Sequence, residues 1–244
     1  MRERRALRIA PADVLLFATY GAVSVAGFMT VYFAAISLTT VATAAVLLYT
    51  APAWVVLLAR LFFGEPVTKM KGAAVALVFT GCALVAGAGG SRTVGLSPAG
   101  LLAGLGAGLT YALYSIFGKA AMRRYSALTT VVYALGFGAL FLLVASRGLA
   151  PVPAVGARAL AYVIAIPTAG AYLLYVAGLQ RVEAGRASVV ATIEPVVAAL
   201  SGSLILHEPF GLMQGMGAAL VLGGVLLVQA EGLAAQTSSQ PARR

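Results

Sequence analysis

The sequence predicts an all-α polytopic membrane protein with eight transmembrane helices. Three observations carry that class. Hydrophobic residues make up 61% of the 244 and charged residues 10%, with a mean hydropathy of +0.97. A soluble domain carries about a quarter charged residues, so this chain cannot cover a water-facing surface. Its apolar runs recur at the roughly 20 residues that cross a bilayer as helix. Those runs also lack the two-residue alternation of a membrane barrel.

The elements follow in order. Segment 1–12 carries Arg2, Arg4, Arg5 and Arg8 and reads as a cytoplasmic N-terminal segment. It loosely resembles a signal peptide. No small-residue cleavage site follows, and the apolar part runs too long, so span 13–37 is retained. Span 39–63 contains Pro52 and ends at Gly64-Glu65-Pro66, and span 71–89 holds the lone Cys82. A linker, 90–97, leads to span 98–118, where Gly100, Gly104 and Gly108 form small-xxx-small steps for close helix contact. No strand precedes those glycines and no GK[ST] follows, so they do not cradle phosphate. Spans 128–147 and 159–180 come next. Span 184–206 contains Glu194-Pro195 and ends at His207-Glu208-Pro209. Span 211–230 carries Gly217, Gly223 and Gly224, again suited to close packing, and 231–244 reads as a disordered cytoplasmic tail.

Charge position sets the orientation. Fourteen of seventeen basic residues fall on one side of this span map, leaving only Arg92, Arg147 and Arg158 on the other. The positive-inside rule then puts both termini in the cytoplasm of a multi-pass, bacterial-type plasma membrane protein. The net charge of +10 is therefore a topology signal toward the lipid bilayer, with no nucleic-acid partner implied. One cysteine and one histidine exclude a disulfide, a metal-ligand set and a Ser-His-Asp triad, and no cofactor motif is present.

A shift of 143 residues lays the chain on itself without a gap. Pro52 meets Pro195, Glu65-Pro66 meets Glu208-Pro209, Gly72 meets Gly215, and Gly81 meets Gly224. Upstream, Tyr32 and Ala34 meet Tyr175 and Ala177. From Pro52 to Val85 there are 13 identities in 34 pairs, and the aligned Pro, Glu-Pro and Gly positions are not a composition effect. The first three spans are thus repeated as the last three. Five crossings separate a span from its copy, so the copies run in opposite directions, as in many secondary transporters.

The proline within a span, the following "GEP" or "HEP", and the Gly-spaced apolar helix together resemble the EamA family of the drug/metabolite transporter superfamily. The Tyr-x-Ala segments at 32–36 and 175–179, and Glu194-Pro195, are similar to that family too. The resemblance implies ten helices in two inverted five-helix halves, exporting small metabolites by alternating access. Against that pattern, 13–89 is a first repeat of three helices and 98–230 a second of five. Two helices are then expected upstream of Met1, or a homodimer or partner supplies them.

Glu194 lies near the middle of its span, where a charge costs about 2.5–3.5 kcal/mol on insertion scales. Its repeat mate is Ala51, so the helix can be built without the carboxylate. Two roles fit it: a proton-exchanging or cation-recognising group beside substrate, or a protonated carboxyl capping a neighbouring helix. Pro52 and Pro195 each remove a backbone hydrogen bond, which makes them helix breaks, either as hinges or as passive kinks. Tyr49, Trp54, Tyr111, Tyr114 and Tyr175, with Tyr172 nearby, line a cavity or pack in the bundle. Apolar walls with a few hydroxyls suit an amphipathic small-molecule substrate. Three functions compete: a secondary exporter of amino-acid-like or drug-like metabolites, a non-transporting subunit or inactive shortened transporter, and an intramembrane enzyme. The last lacks the partner groups that acid–base work requires.

Overall fold

A computed structural model of the chain describes residues 7–87, 97–146, 168–206 and 211–239, with positions 156 and 162. Among them there is no β-strand. Helix α1 spans Pro11–Leu38 and widens to a π-helix over Tyr20–Gly27. The others are α2 (Val41–Leu48), α3 (Ala51–Phe63), α4 (Lys69–Gly87), α5 (Pro98–Ala121), α6 (Ala127–Ala145), α7 (Ala169–Leu179), α8 (Ala184–Ala191), α9 (Glu194–Leu206) and α10 (Leu212–Ser239). Among the described residues, five stretches are long and apolar enough to cross a membrane: Pro11–Leu38, Thr43–Phe63, Pro98–Ala121, Ala127–Ala145 and Leu212–Glu231. Each falls on an expected span. The first part of span 159–180, most of the 90–97 linker and His207-Glu208-Pro209 lie outside the described residues.

Local sequence explains the ends. Thr40, Ser97 and Ser126 accept N–H bonds from Thr43, Gly100 and Thr129, capping α2, α5 and α6. Gly64 ends α3 with φ 71°, a left-handed conformation that suits glycine, and the Gly64 and Glu65 N–H groups close on the Arg60 and Ala59 carbonyls. Helix α10 continues to Ser239, into the stretch that composition reads as a disordered tail. Its Glu, Leu, Ala and Gln residues are good helix formers, which extend the turn pattern past the apolar run.

The two proline-bearing spans are not continuous helices. The proline ring crowds the carbonyl four residues back. For Pro52 that residue is Leu48, where α2 ends, and for Pro195 it is Ala191, where α8 ends. The chain turns at Tyr49 (φ −70°, ψ 4°) and, 143 residues on, at Thr192 (φ −71°, ψ 6°). Each proline then occupies the first turn of the next helix, where a missing N–H leaves nothing unpaired.

The chain forms two compact units. One comprises Met1–Thr30 with Thr110–Val182, and the other Val31–Leu109 with Glu183–Arg244. In the first, the α1 residues pack on α6, and α6 packs on α7. Phe17, Tyr20, Tyr114, Met122, Val131 and Val176 form its core. A Cβ at Gly138 would stand 2.4 Å from Val25 Cγ1, so glycine permits that crossing. At one end, Asp13 meets Arg124 at 3.2 Å and accepts the Tyr125 hydroxyl at 2.5 Å, while Tyr133 donates to the Leu7 carbonyl. Lys119 donates to the Val182 carbonyl at 3.1 Å.

In the second unit, α4 and α10 make the main packing. A Cβ at Gly81 would stand 2.8 Å from Val221 Cγ2, and one at Gly224 would stand 2.8 Å from Val78 Cγ2. Gly223, also expected to pack closely, has no neighbour within 4 Å of such a Cβ. Gly104 and Gly108 of α5 let Leu47 and Thr50 approach, and Gly100 admits Thr39.

Candidate functional site

The expected site residues divide between the two units. Tyr111, Tyr114 and Tyr175 belong to the first, and Tyr49, Pro52, Trp54, Glu194 and Pro195 to the second.

In the first unit, three helices contribute an aromatic cluster with hydroxyl tips. Tyr114 of α5 stands at its centre, 4.9 Å from the Tyr20 ring of α1 and 5.0 Å from the Tyr172 ring of α7. Tyr175 lies one turn from Tyr172 and shares a 2.6 Å hydrogen bond with Ser115. Tyr111 instead stacks obliquely on Phe28. The Tyr114 and Tyr175 rings lie 6.5 Å apart, and Tyr20 joins them through Tyr114. Tyr20 was readable as a phenol inside an apolar run, but nothing in one sequence pairs it with a residue 94 positions on.

In the second unit, Glu194 is the first residue of α9, directly after the break. Its carboxylate is exposed from the protein and lies in electrostatic reach of the Tyr49 and Tyr32 hydroxyls. A carboxylate in the first turn of a helix is favoured by the free N–H groups and dipole there. Pro52 and Pro195 are buried at their breaks, and Trp54 is half-buried on α3. Thr50 donates to the Leu47 carbonyl at 2.7 Å, and Thr192 to that of Val189. Each hydroxyl is a second donor to a carbonyl that already accepts the N–H of the same residue, at the turn where the helix breaks. Tyr32 is the residue missed here. Its alignment with Tyr175 was visible in the repeat, and its electrostatic reach of Glu194 was not.

The Glu-Pro corner after α3 holds more than a helix stop. Glu65, 9% exposed, accepts the Ala184 N–H at 3.0 Å and the Gly185 N–H at 3.4 Å, supplying the carboxylate cap of α8. Lys71, 2% exposed, donates to the Pro66 carbonyl at 2.8 Å and pairs with Glu183 at 2.6 Å. Arg186 completes the group at 3.2 Å from the same Glu183 oxygen. No group of three or more His, Cys, Asp or Glu suited to a metal occurs among the described residues.

Comparison with known proteins now decides the family. The profile of the EamA-like transporter family matches residues 1–87 and 98–230. The chain belongs to the EamA-like transporter family. An uncharacterized transporter of Archaeoglobus fulgidus is 34% identical over 215 residues, covering 85% of this chain and 75% of the relative. A probable terminal-alkyne amino-acid exporter of Streptantibioticus cattleyicolor is 28% identical, over 83% of this chain and 69% of its own. An uncharacterized inner membrane transporter of Salmonella typhimurium is 28% identical, over 88% and 72%. A solved crystal structure has a TM-score of 0.76 with this chain at 22% identity, over 96% of this chain and 81% of its own, which carries the fold. Family and relatives indicate a membrane transporter of EamA type, and with the apolar helices a multi-pass membrane protein.

Proposed function

We propose that this protein is a secondary transporter that exports small polar or amphipathic metabolites, amino-acid-like in character, by alternating access with proton exchange at Glu194. One observation carries the reading: Glu194 stands at the break of a discontinuous helix, with hydroxyls of Tyr32 and Tyr49 in electrostatic reach. Transporters of inverted-repeat type build their sites from such half-helices near the bilayer midplane. The amino-acid character is drawn from the relative named as a probable amino-acid exporter. Tyr114, Tyr175 and Tyr111 on one unit, and Tyr49 and Trp54 on the other, are the proposed substrate-binding aromatics.

The full architecture belongs to the same proposal: eight spans, with 13–89 and 98–230 as inverted repeats. The identical breaks 143 residues apart support the repeat. Within the first unit, Asp13 with Arg124 and Lys119 with Val182 support one side for its basic loops, and within the second Lys71 with Glu183 does so for Lys71 and Arg186. With the positive-inside rule this side is cytoplasmic, and both termini lie there.

Reconstitution of the purified chain into liposomes with an imposed proton gradient tests the reading. Driven transport is expected, and Glu194→Gln is expected to express normally, to abolish driven transport and to flatten its pH dependence. Ala51→Glu in that background is expected not to restore it. Unchanged transport by the Gln variant would reduce Glu194 to a packing residue.

A further inference from the structure

Equivalent places in the two repeats make unlike contacts within the second unit. Helix α8 packs on α3, whereas their repeat mates, α2 and α9, have no comparable packing among the described residues. Repeats that rock about a shared site close at one end while they part at the other. The end where α3 meets α8 is the closed one. It carries Lys71 and Arg186, so the charge pattern turns it toward the cytoplasm.

The closure has an apolar contact and an ionic one. A Cβ at Gly185 of α8 would stand 3.1 Å from Val56 of α3, and Val56 is buried there. Beside it, Glu183 holds the N-cap position of α8 and makes no cap bond to its own helix. Its carboxylate instead meets Lys71 of α4 at 2.6 Å and Arg186 at 3.2 Å. Set back by 143 residues, Glu183 and Arg186 become Thr40 and Thr43, and Lys71, set forward, becomes Gln214. Those three form only local bonds. Thr40 accepts the Thr43 N–H at 3.1 Å and bonds its hydroxyl at 3.0 Å, and Gln214 accepts the Gly211 N–H at 2.8 Å. Glu65 has a carboxylate mate in the sequence, Glu208, so the difference between the ends lies in these three positions. All are charged at one end and uncharged at the other.

We propose that Lys71, Glu183 and Arg186 form a one-sided ionic latch, which makes closure at this end the resting state of the empty protein. An interaction shifts a two-state equilibrium only by its difference between the states. The Lys71–Glu183 contact exists while α8 lies against the α3–α4 corner, and the opposite end has no charges with which to match it. Opening toward the cytoplasm is then the step that bound cargo must drive. This rests on the alternating-access reading, although the closure itself can be measured without transport.

The test uses the full chain purified in detergent, with Val56→Cys as reporter and the buried Cys82 as internal control. Mass spectrometry follows the reaction of each thiol with N-ethylmaleimide. Lys71→Gln/Glu183→Thr/Arg186→Thr gives this end the residues of its mate. That swap is expected to speed labelling at Val56→Cys about tenfold more than at Cys82, the scale of one charged hydrogen bond. Thr40→Glu/Thr43→Arg/Gln214→Lys builds the charges at the opposite end instead. It is expected to speed the same reporter with Lys71, Glu183 and Arg186 untouched, and the uncharged Thr40→Gln/Thr43→Met/Gln214→Met is expected not to. A first swap that leaves the reporter as slow as before would overturn the latch, and so would equal gains at both thiols, which report general unfolding. A second swap without effect, or one matched by its uncharged control, would overturn the one-sided bias. Proton-driven transport in liposomes separates the two readings. Swaps that move the reporter in a chain that transports nothing defeat the exporter and leave the latch. Transport with an unmoved reporter defeats the latch and leaves the exporter.

Discussion

A methyl group added at Gly81 would meet Val221, and one added at Gly224 would meet Val78. Gly81 and Gly224 are 143 residues apart, as are Val78 and Val221. Each glycine therefore receives the valine that its own repeat mate's helix presents, a reciprocal contact of the kind that a two-fold axis generates. The α4–α10 crossing is the close contact on which the second unit is built.

Gly81→Ala and Gly224→Ala are each expected to destabilise the protein by about 1–3 kcal/mol, the usual cost of overpacking. The backbone oxygens of Gly217 and Ala74, at 2.6 and 2.9 Å from the added carbons, cannot step aside as a side chain could. Gly223→Ala, which meets nothing within 4 Å, is the control. Thermal unfolding in detergent measures all three, and a Gly223→Ala loss equal to the others would refute the assigned interface.

Breaking the Lys71–Glu183 pair is expected to cost about 3 kcal/mol, at the low end for a buried pair because Glu183 keeps Arg186. Lys71→Met leaves the Pro66 carbonyl without its donor as well. Lys71→Met/Glu183→Met also strips Arg186 of its partner, so no recovery over the single variant is expected. A double variant as stable as the wild type would show that these ion pairs contribute nothing.

The Tyr125 phenol titrates above its ordinary value of about 10, because its hydroxyl donates to the Asp13 carboxylate and ionisation would set two negative charges together. The contact therefore contributes fully below the phenol's unfolded pKa and is lost as pH rises through the raised folded value. An absorbance titration of the chain minus that of Tyr125→Phe isolates this residue. Asp13→Asn is expected to bring its midpoint down, and an unmoved midpoint would assign the shift elsewhere.

Cysteines placed near Lys71 and at Arg124, in a background lacking Cys82, are expected to resist an impermeant thiol reagent added to intact cells. Cysteines near Arg92 and Arg158 are expected to react. The opposite pattern would reverse the orientation drawn from the charges.

Much of this architecture is written in residue types that are expensive in lipid. Prolines at 52 and 195 announced breaks, since a ring without an N–H cannot sit quietly in a helix interior. The place of each break, at the residue four positions back, follows from the same sterics. Gly100, Gly104 and Gly108 were legible as a packing strip because small residues at that spacing leave one groove. Other relationships involve partners far along the chain and carry no local signal. Glu65 was readable as the end of a helix, but its partners at 184 and 185 were not. Nor did sequence show that Gly224 packs while the adjacent Gly223 does not, because one residue is 100° of helix rotation and the face is chosen by the neighbour. The aromatic cluster was half visible: Tyr114 and Tyr175 stood out inside their spans, whereas Tyr20 gained meaning only from what it touches.

The cap on α8 has a consequence for how this chain tolerates change. Glu65 reaches main-chain N–H groups, which every residue but proline possesses. Side chains at 184 and 185 are free of the bond itself and limited by space: Ala184 is fully buried, and a Cβ at 185 would stand 3.1 Å from Val56. Position 65 has no such freedom, because the contact depends on its own side chain to reach and to carry the charge. The hydrogen-bonding role rests on residue 65 alone, so a saturation scan is expected to select for the carboxylate at 65 and for small size at 184 and 185, with proline excluded from both.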